Sequence, residues 1–150
     1  RYALEPTGEM ASQQAAARDA LAAHTRSLLG DRTIDVASSD RHTVKPWFEG
    51  RVQLAPPVFD LAEDGYRLVG GRVDVVGGQR VAALVYRHRL HVVTLFVGPP
   101  LAANDGELRE RGYGLIAWGQ GGMSFWAVSD TDADDLRRFA ALYRARIAAN

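Results

Sequence analysis

Residues 66–97 read YRLVGGRVDVVGGQRVAALVYRHRLHVVTLFV, and the fold turns on how this stretch is parsed. From Tyr66 onward apolar residues recur with a period of two, the spacing of a strand whose side chains alternate between faces. Tyr66 to Val76 and Arg80 to Arg87 flank Gly77-Gly78, a hairpin turn of the kind that needs positive φ. Arg87 to Leu90 gives a second reversal into His91 to Val97, so three strands follow one another as a meander. A polar loop passes through Asn104, Asp105 and Gly106. Beyond it, Gly112 to Trp118 and Met123 to Val128 flank Gly119-Gln120-Gly121-Gly122 and add a hairpin of aromatic-rich strands. The expected sheet has about five antiparallel strands.

Outward from the sheet, Ser12 to Leu29 is rich in alanine, leucine and glutamine and stops at Gly30, which reads as a helix. Ala17, Leu21, His24 and Leu28 form its expected apolar stripe. Asp31 to Gly50 lacks periodicity and reads as an ordered loop with a short strand, while Pro56 and Pro57 forbid a central strand. Val58 to Asp64 has room for one helical turn before Gly65. Asp130 or Thr131 caps a final helix in which Leu136, Phe139, Ala140, Tyr143 and Ile147 recur at three- and four-residue steps. The resulting class is α+β, an antiparallel sheet with an N-terminal and a C-terminal helix packed on it, both on one face.

A chain of 150 residues, 47% apolar and 24% charged, is long enough for one core and has the size of a single domain. Lysine plus arginine number 18 and aspartate plus glutamate 18, so no net field draws in nucleic acid or an anionic membrane. The absence of cysteine excludes disulfides, thiolate zinc sites and thiol nucleophiles, and leaves the compartment open. No run approaches the roughly 18 consecutive apolar residues of a membrane span. The chain opens on Arg1, with its first methionine at Met10, which suggests a fragment of a longer protein.

The chemistry-bearing residues are few. His88 and His91, separated by a tight reversal, are candidate metal ligands with His42 as a third, weighed against surface histidines in a basic turn. Arg87, His88 and Arg89 form a cationic cluster suited to a phosphate, a lipid headgroup or a partner carboxylate, weighed against a solvated hairpin tip. Arg87 and Arg89, with Trp47, are the candidate partner contacts. Ser39, Asp40 and His42 are the residue types of a hydrolytic triad, but lie in one loop without a nucleophile elbow. Gly70-Gly71 and Gly119 to Gly122 read as turns and bulges, because neither opens a helix or precedes Gly-Lys-Ser/Thr. Trp118 and Trp126 read as core, and His24 as a packing residue. No catalytic residue and no cofactor is expected.

The run Asp35-Val-Ala-Ser-Ser-Asp-Arg-His-Thr-Val-Lys-Pro-Trp-Phe resembles a stretch of bacterial transmembrane anti-sigma factors. Ala55-Pro-Pro-Val, Leu68-Val-Gly-Gly-Arg-Val-Asp, Val81 to Val97 and Trp118 to Asp130 resemble the extracytoplasmic part of the same proteins, in the same order, so the resemblance covers roughly His24 to Tyr143. It implies a non-enzymatic sensor or relay domain on the periplasmic side of the inner membrane. An extracytoplasmic-function sigma factor would be held by a segment upstream of Arg1, and the only membrane contact would be an anchor just before it. The implied partners are that sigma factor and a periplasmic protein or regulatory protease. The other expectation, from a different class, is a periplasmic small-ligand or metal-binding module using His42, His88 and His91.

Overall fold

The structure, a computed structural model, describes residues 8–30, 33–101 and 105–150. Asp31, Asn104 and the Arg1 end, which enter the readings above, lie outside the described residues.

The elements are α1 (Gly8–Leu29), β1 (Val36–Ala37), α2 (Arg41–Trp47), a 3-10 turn (Ala62–Asp64), β2 (Arg67–Val76), β3 (Gln79–His88), β4 (His91–Gly98), β5 (Gly106–Glu110), β6 (Tyr113–Gln120), β7 (Met123–Ser129) and α3 (Ala133–Ala149). The class is α+β. The strands form one seven-stranded antiparallel sheet in the order β1-β2-β3-β4-β7-β6-β5, two strands more than the periodicity suggests. Of the two further strands, β1 is the short strand expected between Asp31 and Gly50, here a two-residue addition at one edge, and β5 is new, its charged residues mostly exposed with no alternation of apolar side chains.

Four tight reversals set the registers. Gly77 and Gly78 turn β2 into β3 with φ of 62° and 78°, closing on the pair Val76 and Gln79. That conformation puts Cβ against the backbone in any other residue, so glycine serves it best. The turns between β3 and β4 and between β5 and β6 instead place Arg89 (φ 56°) and Arg111 (φ 53°) in the left-handed region. A bulge in β2 between Leu68 and Gly70 carries the strand past β1.

Alternation along the central strands separates two cores. On one face Leu84 and Tyr86 of β3, Leu95 of β4 and Phe125 of β7 meet Val44 and Phe48 of α2 and Leu136, Phe139 and Tyr143 of α3. On the other face Val81 and Ala83, Phe96, Trp126 and Val128 meet Ala16, Ala20, Leu21 and Ala23 of α1. The two terminal helices therefore lie on opposite faces of the sheet, not on one. The physical sign is that β3, β4 and β7 are apolar at successive positions, as strands covered on both sides must be.

Local corrections follow from the same packing. The buried face of α1 runs through Ala16, Ala20, Leu21, Ala23, His24 and Ser27, so Leu21 and His24 of the expected stripe are buried, Ala17 packs at its margin, and Leu28 is 39% exposed. Small residues let the helix approach the bulky Phe96 and Trp126. Residues 41–47 form α2, where a loop is expected from sequence, because the Asp40 carboxylate accepts the His42 backbone N–H at 2.8 Å as an N-cap. Gly71 makes room for Phe48, whose ring would crowd any Cβ placed there. The last helix starts at Ala133 with Asp132 as its N-cap residue and no side-chain cap. Asp130 instead bonds His91, and the Thr131 N–H donates to Ser129 Oγ.

Candidate functional site

At the turn between β3 and β4, His88 and His91 stand opposite each other, but acids from the corner between β7 and α3 hold them separately. His88 is buried, 5% exposed, and stacks on Tyr66 with ring centres 4.3 Å apart. Its Nδ1 lies 2.8 Å from the Gly65 carbonyl and its Nε2 3.1 Å from Asp135 Oδ2, so both ring nitrogens face protein oxygens and neither is turned toward an open metal position. His91 Nδ1 lies 2.9 Å from Asp130 Oδ1. Arg89 reaches Asp135 at 3.8 Å, while Arg87 is exposed opposite Arg67. The sequence-derived cationic cluster is thus partly neutralised, and His88 is a buried strut, not a surface histidine.

His42 does not join them. It shares a cavity with Asn150 at the end of α3, whereas His88 bonds Asp135 near the start of that helix. Fifteen residues at 1.5 Å each separate the two positions by roughly 20 Å. Among the described residues no three histidine or acidic side chains are placed to hold a metal, so His42, His88 and His91 do not form the expected ligand set. Asp40 is occupied with capping α2, and Ser39 and His42 are exposed beside it. Trp47 is half-buried, edge-on to Phe48 and covered by the Arg51 guanidinium 4.6 Å from its ring centre. Trp118 and Trp126 are core, the first stacked on Phe125 at 5.0 Å.

A buried polar group lies beneath the C-terminal half of α1, where the sequence reading has His24 as a packing residue and does not include Arg72. His24 is fully buried. Its Nδ1 meets Thr94 Oγ1 at 2.8 Å, its ring is edge-on to Tyr113, and its Nε2 has no hydrogen-bond partner among the described residues. Arg72, 2% exposed, donates from Nε to Asp74 Oδ2 at 3.0 Å and from Nη1 to the Thr33 carbonyl at 2.9 Å, while Nη2 has no partner among the described residues. Its guanidinium lies over Phe96, two residues along β4 from Thr94. Asp74 also faces Arg26 of α1 at 3.5 Å.

Burial pushes the His24 pKa down to about 4; the Arg72 charge pushes the same way and Asp130 opposes. Burial also lowers the pKa of Arg72, with Asp74 and Asp35 countering. His24 is therefore neutral at neutral pH, and a proton on it would place a second cation near Arg72 with no carboxylate bonded to it. An inward-facing arginine in an apolar strand and a histidine on an alanine face are the signals that could have found this cluster.

Fold and geometry together define an antiparallel α+β domain whose chemistry-bearing side chains are mostly committed to packing and ion pairs. Comparison with known proteins finds no match to a family model, a curated protein or a solved structure.

Proposed function

We propose that this chain is the periplasmic regulatory domain of a membrane-bound anti-sigma factor, acting by binding and relay and not by catalysis. The observation that carries the reading is how α1 is attached. The face with α2 and α3 buries large side chains, whereas α1 docks through Ala16, Ala20 and Ala23 with Leu21 and His24. Its polar ties include the Asp19 carboxylate accepting the Gly77 N–H at 2.9 Å, Arg18 to Glu110 at 3.0 Å, Arg26 to Asp74 at 3.5 Å, His24 to Thr94, and the Thr33 hydroxyl donating to the Ser27 carbonyl at 2.8 Å.

A helix held this way on a sheet with its own second core can switch between docked and undocked states at low cost. In this reading α1 leads toward an upstream anchor and sigma-binding segment, and a periplasmic signal, partner protein or protease acts on the docked state. The resemblance of residues from Asp35 to Asp130 supports the same assignment. The separated histidines do not favour a metal-binding module.

The test uses the full-length gene product in cells with a reporter driven by its sigma factor. Ala20→Arg, which cannot be buried against the sheet, is expected to undock α1 and change reporter output severalfold. A full-length gene with no apolar span upstream of Arg1, or a reporter indifferent both to Ala20→Arg and to deletion of the domain, would sink the reading.

A further inference from the structure

Arg41, His42 and Lys45 of α2, Pro57, Val58 and Phe59 of the following segment, and Asn150 at the end of α3 enclose a cavity of about 250 Å³. Arg41 and Lys45 sit one helical turn apart, so their side chains project from one side of α2. Neither forms an ion pair with another described residue. Among the described residues no carboxylate side chain lines the cavity; Asp40 and Asp60, which flank lining residues in sequence, accept the backbone N–H of His42 and of Leu68. Arg146, over the Phe59 ring at 5.1 Å, adds a further cation beside the floor.

The floor is fixed and its backbone acceptors point away. The Tyr143 hydroxyl donates to the Pro57 carbonyl and the Tyr86 hydroxyl to the Phe59 carbonyl, each at 2.6 Å, which draws both oxygens into the core. Val58 and Phe59 are 3% and 2% exposed, so the floor is an apolar surface resting on packed side chains. The C-terminal end of α3 brings a partial negative charge of about one half and Asn150 of the 150-residue chain an α-carboxylate, against which stand the full charges of Arg41, Lys45 and the neighbouring Arg146.

We propose that this cavity binds a phosphoryl group, with the organic part of a phosphate ester lying on Pro57, Val58 and Phe59. A guanidinium fork, an ammonium and an imidazole on one helix can together address three oxygens. A phosphomonoester offers three oxygens and a charge close to two, whereas a carboxylate offers two oxygens and a single charge. The site is independent of the regulatory reading, since it lies on the face opposite α1.

The test is calorimetric titration of the chain with phenyl phosphate, inorganic phosphate and benzoate, together with co-sedimentation on vesicles containing phosphatidylglycerol or only phosphatidylcholine. Phenyl phosphate should bind more tightly than inorganic phosphate and at least tenfold more tightly than benzoate. Arg41→Ala with Lys45→Ala should weaken it at least tenfold without shifting the Tm, His42→Asn should weaken it less, and Arg87→Ala with Arg89→Ala should leave it unchanged. Capture by anionic vesicles that phenyl phosphate competes away identifies a lipid headgroup as the source; binding of the soluble ester without vesicle capture identifies a free phosphate compound. Absence of both kinds of binding, equal affinity for benzoate, or affinity unchanged in the Arg41 and Lys45 double variant overturns the proposal.

Discussion

His24 shows how one side chain can carry a pH dependence into the whole fold. In the unfolded chain its imidazole takes a proton near the ordinary value of 6.5, while in the folded protein burial and Arg72 hold that proton off until about pH 4. Between those values the unfolded state binds the extra proton, so the His24 contribution to stability is intact above pH 6.5, falls as pH drops, and levels off below about 4. The loss amounts to about 3 kcal/mol across the window. Denaturant midpoints measured at steps from pH 7 to 4 should show this slope, and His24→Gln should flatten it; equal slopes in the two proteins would refute the assignment. Gly71 is a second residue with a measurable role. A Cβ there would lie 2.8 Å from the Phe48 ring and 3.1 Å from the Ala83 carbonyl, so Gly71→Ala should cost about 1–3 kcal/mol of stability, read as a lowered Tm. Neither role is visible in the sequence alone. A histidine on an alanine-rich helix looks like packing until its ring is found with one nitrogen bonded and the other unpartnered.

At the level of elements, what the sequence makes legible follows side-chain period and turn chemistry. Residues 66–98 and 112–129 contain alternating or continuous apolar runs interrupted by glycine pairs, and their strands and reversals appear close to where the pattern puts them. β5 escapes because an exposed edge strand buries too little apolar surface to leave a period, and charge at such an edge discourages pairing with other chains. α2 escapes because its capping Asp40 lies amid other turn-forming residues and Pro46 sits inside the helix. The turn between β3 and β4 offers a test. Arg89 holds a left-handed conformation that costs a non-glycine residue roughly 1 kcal/mol, and its ion pair with Asp135 is long and largely exposed. Arg89→Gly should therefore raise the denaturant midpoint slightly, by a gain of at most about 1 kcal/mol. A lowered midpoint would mean that Asp135 depends on Arg89 more than their geometry indicates.

At the scale of the molecule, the sheet is a shared wall between two unequal cores. One contains Trp118, Tyr66, Tyr86, Tyr143 and four buried phenylalanines; the other is closed by alanines and one leucine of α1 over Phe96 and Trp126. Side-chain area is what a helix gains by docking, so removing α1 exposes far less apolar surface from the helix side than removing α3 would. Sequence reading placed both helices on one face because each shows a single apolar stripe, a feature that says how many faces a helix buries but not which side of the sheet receives it. The inequality predicts an order of opening. Native-state hydrogen exchange at pH 7 should show amides of residues 16–27 exchanging through a smaller opening than those of β3, β4 and β7, whose two neighbours and two covering layers open only on global unfolding. Acidification to pH 4.5 should lower both opening energies by the same His24 increment, because His24 takes its proton once α1 lifts and equally in the unfolded chain, while His24→Gln should suppress that shift in both. If α1 and β4 exchange with the same opening energy at both pH values, the helix is part of the global unit and the docked and undocked states of the proposed relay do not exist as separate species.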